Sequence, residues 1–147
     1  MSETQLFVDM STGVTEMDQL HFDFFETLSQ LSALSDDEFA LGFRGFVHHA
    51  EKTFAKEEQW MEDSDFPADK SHREQHARVL SALHHVHSRV LAGDIATGRE
   101  TVETLLPHWF AFHISTMDMA LASAMQTSSI ELSYRMPPPT APVACYQ

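Results

Sequence analysis

The chain has 147 residues, of which 22 are acidic and 9 basic, and its formal net charge of −13 argues against any nucleic-acid partner, whose phosphates it would repel. Apolar residues make up 43% and charged residues 21%, the balance of one globular domain with a real core; no run of about 20 apolar residues offers a membrane span. A lone cysteine, Cys145, cannot form an internal disulfide, and the first residues lack the basic start and apolar run of a secretory signal, so the expected location is the cytoplasm.

Glycine is scarce, and no alternating Val/Ile runs or Asn-Gly turns point to sheet. Helical periodicity appears four times instead. The first helix is expected over about Glu16 to Leu34, with Leu20, Phe24, Leu28 and Leu31 on one face and Thr15 as cap. After a Ser35-Asp36-Asp37-Glu38 turn the second runs from about Asp37 to Glu62, capped by Ser35 or Asp36. Asp63 to Lys70, with Asp-Ser-Asp and Pro67, reads as a loop. The third runs from about Ser71 to Ala92 and stops at Gly93. The fourth runs from about Arg99 to Met125, with Pro107 either kinking it or marking its true start. Four helices of roughly 20 residues on short loops make an all-α, up-down-up-down antiparallel four-helix bundle over residues 15–126. Residues 1–14 form a leader; residues 127–147, with Pro137-Pro138-Pro139 and Pro142, read as an extended or flexible tail. Asp94 and Glu100 read as solvated charges.

Ten histidines exceed what packing requires. His72 and His76, four apart, sit one above the other on a helix face and can reach one metal ion, although an HxxxH pair alone is a weak signal. His113 and Asp118 are five apart, which in an α-helix turns them about 140° away from each other. They do not stack, but they can flank a site between two ions. Of the adjacent Glu57 and Glu58, one must face inward and the other solvent. His21 lies among apolar neighbours, where a lone histidine is usually structural. Taken together, each helix offers the interior an imidazole or a carboxylate, and buried charges of this kind require a compensating cation. A nitrogen-rich, thiolate-free set with bridging acids suits iron ahead of manganese or zinc. Ferritin-like sites pair Glu-x-x-His motifs on two helices, and no such pair is present.

Several segments in order resemble the bacterial hemerythrins: Gly13-Val14-Thr15-Glu16-Met17-Asp18-Gln19-Leu20-His21 followed by Phe24-Phe25, Phe54-x-x-Glu57-Glu58-x-x-Met61, Phe66-Pro67, His72-x-x-x-His76, and Trp109-x-x-x-His113-Ile114-x-x-x-Asp118. The likeness spans roughly Gly13 to Gln126. It implies a hemerythrin-like bundle with two non-haem, oxo- or hydroxo-bridged iron ions that bind dioxygen reversibly, and no enzymatic turnover. By position, His72, His76 and His113 would hold one iron, His21 the other, and Glu57 and Asp118 would bridge them. Trp109, Phe110 and Ile114 would wall an apolar ligand pocket. One position departs from the family: Thr53 stands where its members carry a histidine ligand, four residues ahead of the bridging glutamate. Three consequences are open. His49, one turn earlier on the same face, takes over as ligand (Thr53 is small enough to clear space for it, whereas His48 points about 100° away); water held by Thr53 fills the position; or the second metal binds weakly.

Three functions therefore compete. The first is an oxygen-binding protein for storage, delivery or sensing. The second is a diiron enzyme reducing peroxide, oxygen or nitric oxide, and the third is an iron-binding bundle without oxygen chemistry. His84, His85, His87 and His108 carry no expected role beyond a solvated face or support of the site.

Overall fold

The computed structural model describes residues 10–135, with side chains through residue 128. It contains α1 (Thr15–Ser32), α2 (Asp36–Asp63) and α3 (Asp69–Leu91). A last rod follows, made of α4 (Ile95–Glu100), a π segment (Thr101–Leu105), α5 (Leu106–His113), a second π segment (Ile114–Asp118) and α6 (Met119–Arg135). Right-handed helical φ/ψ at every junction keeps this rod continuous. The connections, residues 33–35, 64–68 and 92–94, are too short to do anything but reverse the chain, so neighbours run antiparallel. No strand is present among the described residues, and none of their helices is long and apolar enough to cross a membrane.

Helix starts differ from expectation in instructive ways. Thr15 opens α1 but does not cap it: the N-cap position is Val14, and the entering loop is held by Asp18, whose carboxylate accepts the Thr12 amide at 2.8 Å and hydroxyl at 2.7 Å. Ser35 occupies the N-cap position of α2 without a side-chain cap bond. The fourth helix begins at Ile95, not near Arg99, because Asp94 is a working cap that accepts the Thr97 amide at 3.2 Å and hydroxyl at 2.7 Å. Arg89 donates to the same carboxylate at 2.8 Å. Gly93 makes the preceding turn at φ +101°. A Cβ at Gly98 would lie 2.5 Å from Val90 Cγ2 and 2.6 Å from Phe39 Cε1, so its absence lets α4 pack directly on α2 and α3.

Pro107 neither breaks nor starts the fourth helix. The π segment ahead of it shifts the ladder, with the Leu106 amide bonding the Thr101 carbonyl, and the missing proline donor falls where the pattern is already displaced. Helix continues through Arg135, beyond the expected end near Met125, since no glycine or proline occurs before Pro137. The proline-rich stretch and residues 1–9 lie outside the described residues.

The core is in two parts. A phenylalanine-rich cluster, including Phe24, Phe39, Phe43, Phe46, Phe54 and Phe110, fills one end of the bundle. Met17, Trp60, Met61, Leu121 and Ala122 form the other cluster. On α1, α2 and the last rod the chain passes from one cluster to the other between Met17 and Phe24, Phe54 and Met61, and Ile114 and Leu121, and buried polar side chains form a layer there.

Candidate metal centre

That layer holds His21, Glu57, His72, His76, His113 and Asp118, all fully or almost fully buried. His21 comes from α1 between Met17 and Phe24. Glu57 comes from α2 between Phe54 and Met61, while Glu58 turns to the half-exposed rim, which settles the choice between the two acids. His72 and His76 rise from the first turns of α3. His113 directly precedes the second π segment and Asp118 ends it, and there the Met119 amide bonds the Ile114 carbonyl five residues back. The expected 140° divergence assumed α spacing. The π turn brings residues five apart onto one face instead, and His113 Nε2 lies 3.1 Å from Asp118 Oδ1.

The donors separate into two groups that share Glu57. In the first, the Nε2 atoms of His72 and His76 lie 3.2 and 3.3 Å from that of His113. Glu57 Oε2 faces the same point, at 2.7 Å from His76, 3.4 Å from His113 and 3.5 Å from His72. Asp118 Oδ1 is 3.1 Å from both His72 and His113. In the second, the other carboxylate oxygens face His21: Asp118 Oδ2 at 2.8 Å and Glu57 Oε1 at 3.6 Å from its Nε2. Each carboxylate thus presents one oxygen to each group.

Such an array is poorly satisfied by its own hydrogen bonds. Three imidazole nitrogens pointing at one another have at most one acceptor geometry each, and Glu57 Oε1 and Asp118 Oδ1 have no hydrogen-bond partner among the described residues. Separations near 3.0–3.5 Å are about those of donors bound ~2.1 Å from a shared ion. Buried nitrogens and carboxylates without thiolate are the donor chemistry of iron, manganese or zinc. The residues present fit a metal centre.

The electrostatics agree. Burial alone would lower the His21 and His113 pKa, but hydrogen bonds and charge from Asp118 and Glu57 outweigh it and raise both to about 9. His72 rises for the same reason. Burial would raise the Glu57 carboxyl, yet the four surrounding imidazoles hold it well below the usual range.

Around the donors, His113 Nδ1 donates to Gln75 Oε1, which leaves Nε2 to face the centre, and Glu58 Oε1 lies 3.7 Å from His76 Nδ1. Phe54 stacks on His76 at 4.3 Å and 14°, and Trp109 on His113 at 4.8 Å and 15°. Phe110 meets His21 edge-on at 5.5 Å and packs on Phe24 at 3.8 Å. Ile114 is fully buried beside His113. The walls are therefore dry on the side of Phe24, Phe110 and Ile114, while Trp109 covers the three-histidine side. Phe54 and Gln75 had drawn no attention as supporting residues.

His49 and Thr53 behave differently. The Thr53 side chain is buried, and its hydroxyl donates to the His49 carbonyl at 3.0 Å, within its own helix. His49 belongs to neither donor group; its half-buried ring lies 6.4 Å from that of Phe24, and burial lowers its pKa, partly offset by Asp23. Elsewhere, His84 bonds Glu51 at 2.9 Å on the surface, His87 stacks on Phe43, and His85 and His108 are exposed.

Residues 12–124 match the hemerythrin HHE cation binding domain. The chain is also 37% identical over 111 residues to a bacteriohemerythrin of Ralstonia nicotianae (strain ATCC BAA-1114 / GMI1000), an alignment covering 76% of this chain and 80% of that protein. No solved structure gives a significant match. The match over nearly all of the bundle, together with interior side chains that could hold a metal ion, leads to one conclusion: this chain belongs to the hemerythrin family.

Proposed function

We propose that the protein binds two non-haem iron ions and uses them to hold dioxygen reversibly. The observation that carries this is the division of the carboxylates. Glu57 and Asp118 each turn one oxygen to the three-histidine group and one to His21, as a pair of ions side by side requires and a single ion does not. His72, His76 and His113 would hold one iron and His21 the other, with Glu57 and Asp118 spanning both. A bound ferrous pair supplies the two electrons that dioxygen takes up on binding and returns on release.

The chain's own contribution is containment. Glu57 and Asp118 offset half the charge of two divalent ions in a layer that has almost no water contact. Phe24, Phe54, Phe110 and Ile114 exclude solvent and outside reductants, which favours release over turnover. Gln75 keeps the His113 ring in one orientation. The 37% identity to a protein named bacteriohemerythrin supports dioxygen as the ligand.

Anaerobic loading with ferrous iron, followed by cycles of air and argon, tests the proposal. A visible charge-transfer band that appears and disappears over repeated cycles is expected. One-way bleaching with consumption of oxygen or peroxide would instead support an enzyme, and no spectral response an iron-binding bundle without oxygen chemistry.

A further inference from the structure

The two donor groups are unequal in a way that bears on how the centre is filled. The first offers Glu57, His72, His76 and His113 within 4.8 Å of one another, with Asp118 Oδ1 3.1 Å from two of these nitrogens. Among the described residues, the second offers only His21, Glu57 and Asp118. Its one nitrogen is His21 Nε2, and both of its oxygens belong to carboxylates that the first group also uses. The position on α2 one turn before Glu57 is Thr53, whose hydroxyl donates to the His49 carbonyl at 3.0 Å and leaves only a neutral oxygen for a metal. A neutral alcohol is in any case a poor donor to ferrous iron. His49 is in neither donor group; its ring lies 6.4 Å from that of Phe24, with a buried Nε2 that has no hydrogen-bond partner among the described residues.

We propose that the centre is filled in sequence: the three-histidine group takes the first iron tightly, and the His21 group takes a second iron weakly and exchangeably. Dioxygen binding, which needs both ions, then tracks the ferrous iron available to the protein. The order follows from sharing. With the first group filled, Glu57 and Asp118 are already oriented with their free oxygens toward His21, whereas filling the second group first would bring three donors to an ion that prefers five or six. The inference rests on the metal reading above, and the experiment separates the two.

The test is an anaerobic titration of the metal-free protein with ferrous sulfate, followed by challenge with a ferrous chelator and desalting, with retained iron measured by elemental analysis and folding by circular dichroism. One iron per chain should survive the challenge and the second should be removed, with dissociation constants at least about tenfold apart, the scale at which even a supporting ligand acts. Thr53→His, which supplies a nitrogen one turn before Glu57, should make both equivalents survive. His49→Ala should leave the pattern of the native chain unchanged. Two equivalents of equal affinity in the native chain would overturn the proposal, as would loss of the second equivalent's affinity in His49→Ala, which would make His49 the missing donor. Failure to retain any iron in a folded chain would overturn the metal reading itself.

Discussion

The two halves of the centre share their carboxylates and differ in their nitrogens. On one side α3 contributes His72 and His76 at a four-residue spacing, and the end of α5 adds His113, so three rings converge. On the other, α1 contributes His21 alone, against Asp118 Oδ2 at 2.8 Å and Glu57 Oε1 at 3.6 Å. The difference comes from the helices. Two consecutive turns of α3 face the layer, while α2 presents Glu57 and, a turn earlier, a threonine whose hydroxyl is bound to its own helix. Oxygen donors are thus distributed evenly and nitrogen donors are not, so the halves should respond unequally to substitution.

The largest effect is expected from removing what they share. Glu57 contacts all four imidazoles, and its loss leaves Asp118 to face both groups without the second shared carboxylate. Glu57→Ala should retain no iron at either position after chelator challenge. His76→Ala should also fail to load two ions, because it removes the 2.7 Å partner that holds Glu57 Oε2 in place. His21→Ala, by contrast, should lose only the second equivalent in the ferrous titration and keep the one that survives the chelator. Equal losses in His21→Ala and His76→Ala, read by elemental analysis, would break the distinction between the halves.

Proton occupancy gives a second contrast, this time in pH. In the metal-free protein the acids hold the His21 and His113 pKa at about 9 against an ordinary 6.5. A raised folded-state pKa contributes stability that is complete below 6.5 and lost as pH rises toward 9. The depressed Glu57 carboxyl contributes above the ordinary glutamate range, and its share is lost only in strong acid. The melting temperature of the metal-free chain should therefore fall from pH 6.5 to 9. Iron affinity should move the opposite way, because both imidazoles must release a proton to bind metal. The measurement is thermal melting by circular dichroism, with and without ferrous iron, across that range. A melting temperature flat from pH 6.5 to 9 in the metal-free chain would show that these rings are not proton-bound.

How much of this was legible in the sequence depended on whether a spacing rule applied. The four helices follow from apolar periodicity, and the His72–His76 pair from the i,i+4 rule, because both segments are regular α-helix. His113 and Asp118 defeated that rule: the five-residue step looked divergent, and no local residue pattern announces a π turn. Asp94 passed for a solvated charge although Thr97 stands three residues on, a capping pattern within reach of sequence reasoning. Gln75 gave no signal, since a polar residue beside a buried histidine looks like any solvated side chain until its partner, 38 residues away, is known. Residue type alone left Glu57 and Glu58 open; the resemblance picked Glu57, and the buried face of α2 carries it. The Thr53 position was visible as a departure from the family, but the fate of its hydroxyl was not.

The smallest effect should come from outside the donors. Gln75 accepts a hydrogen bond from His113 Nδ1, which fixes the ring and keeps Nε2 directed at the three-histidine group; it does nothing of the kind for His21. Gln75→Ala should lower affinity for the first iron by about tenfold, within the range seen when supporting partners of metal ligands are removed, and leave the number of irons bound at saturation unchanged. Gln75→Glu should restore or exceed the native affinity, because a carboxylate accepts the same bond more strongly and raises the basicity of the ring. A merely structural role for Gln75 predicts loss in both variants, so the sign of the Gln75→Glu effect in a chelator competition decides whether the outer contact tunes the half of the centre that carries most of its nitrogen.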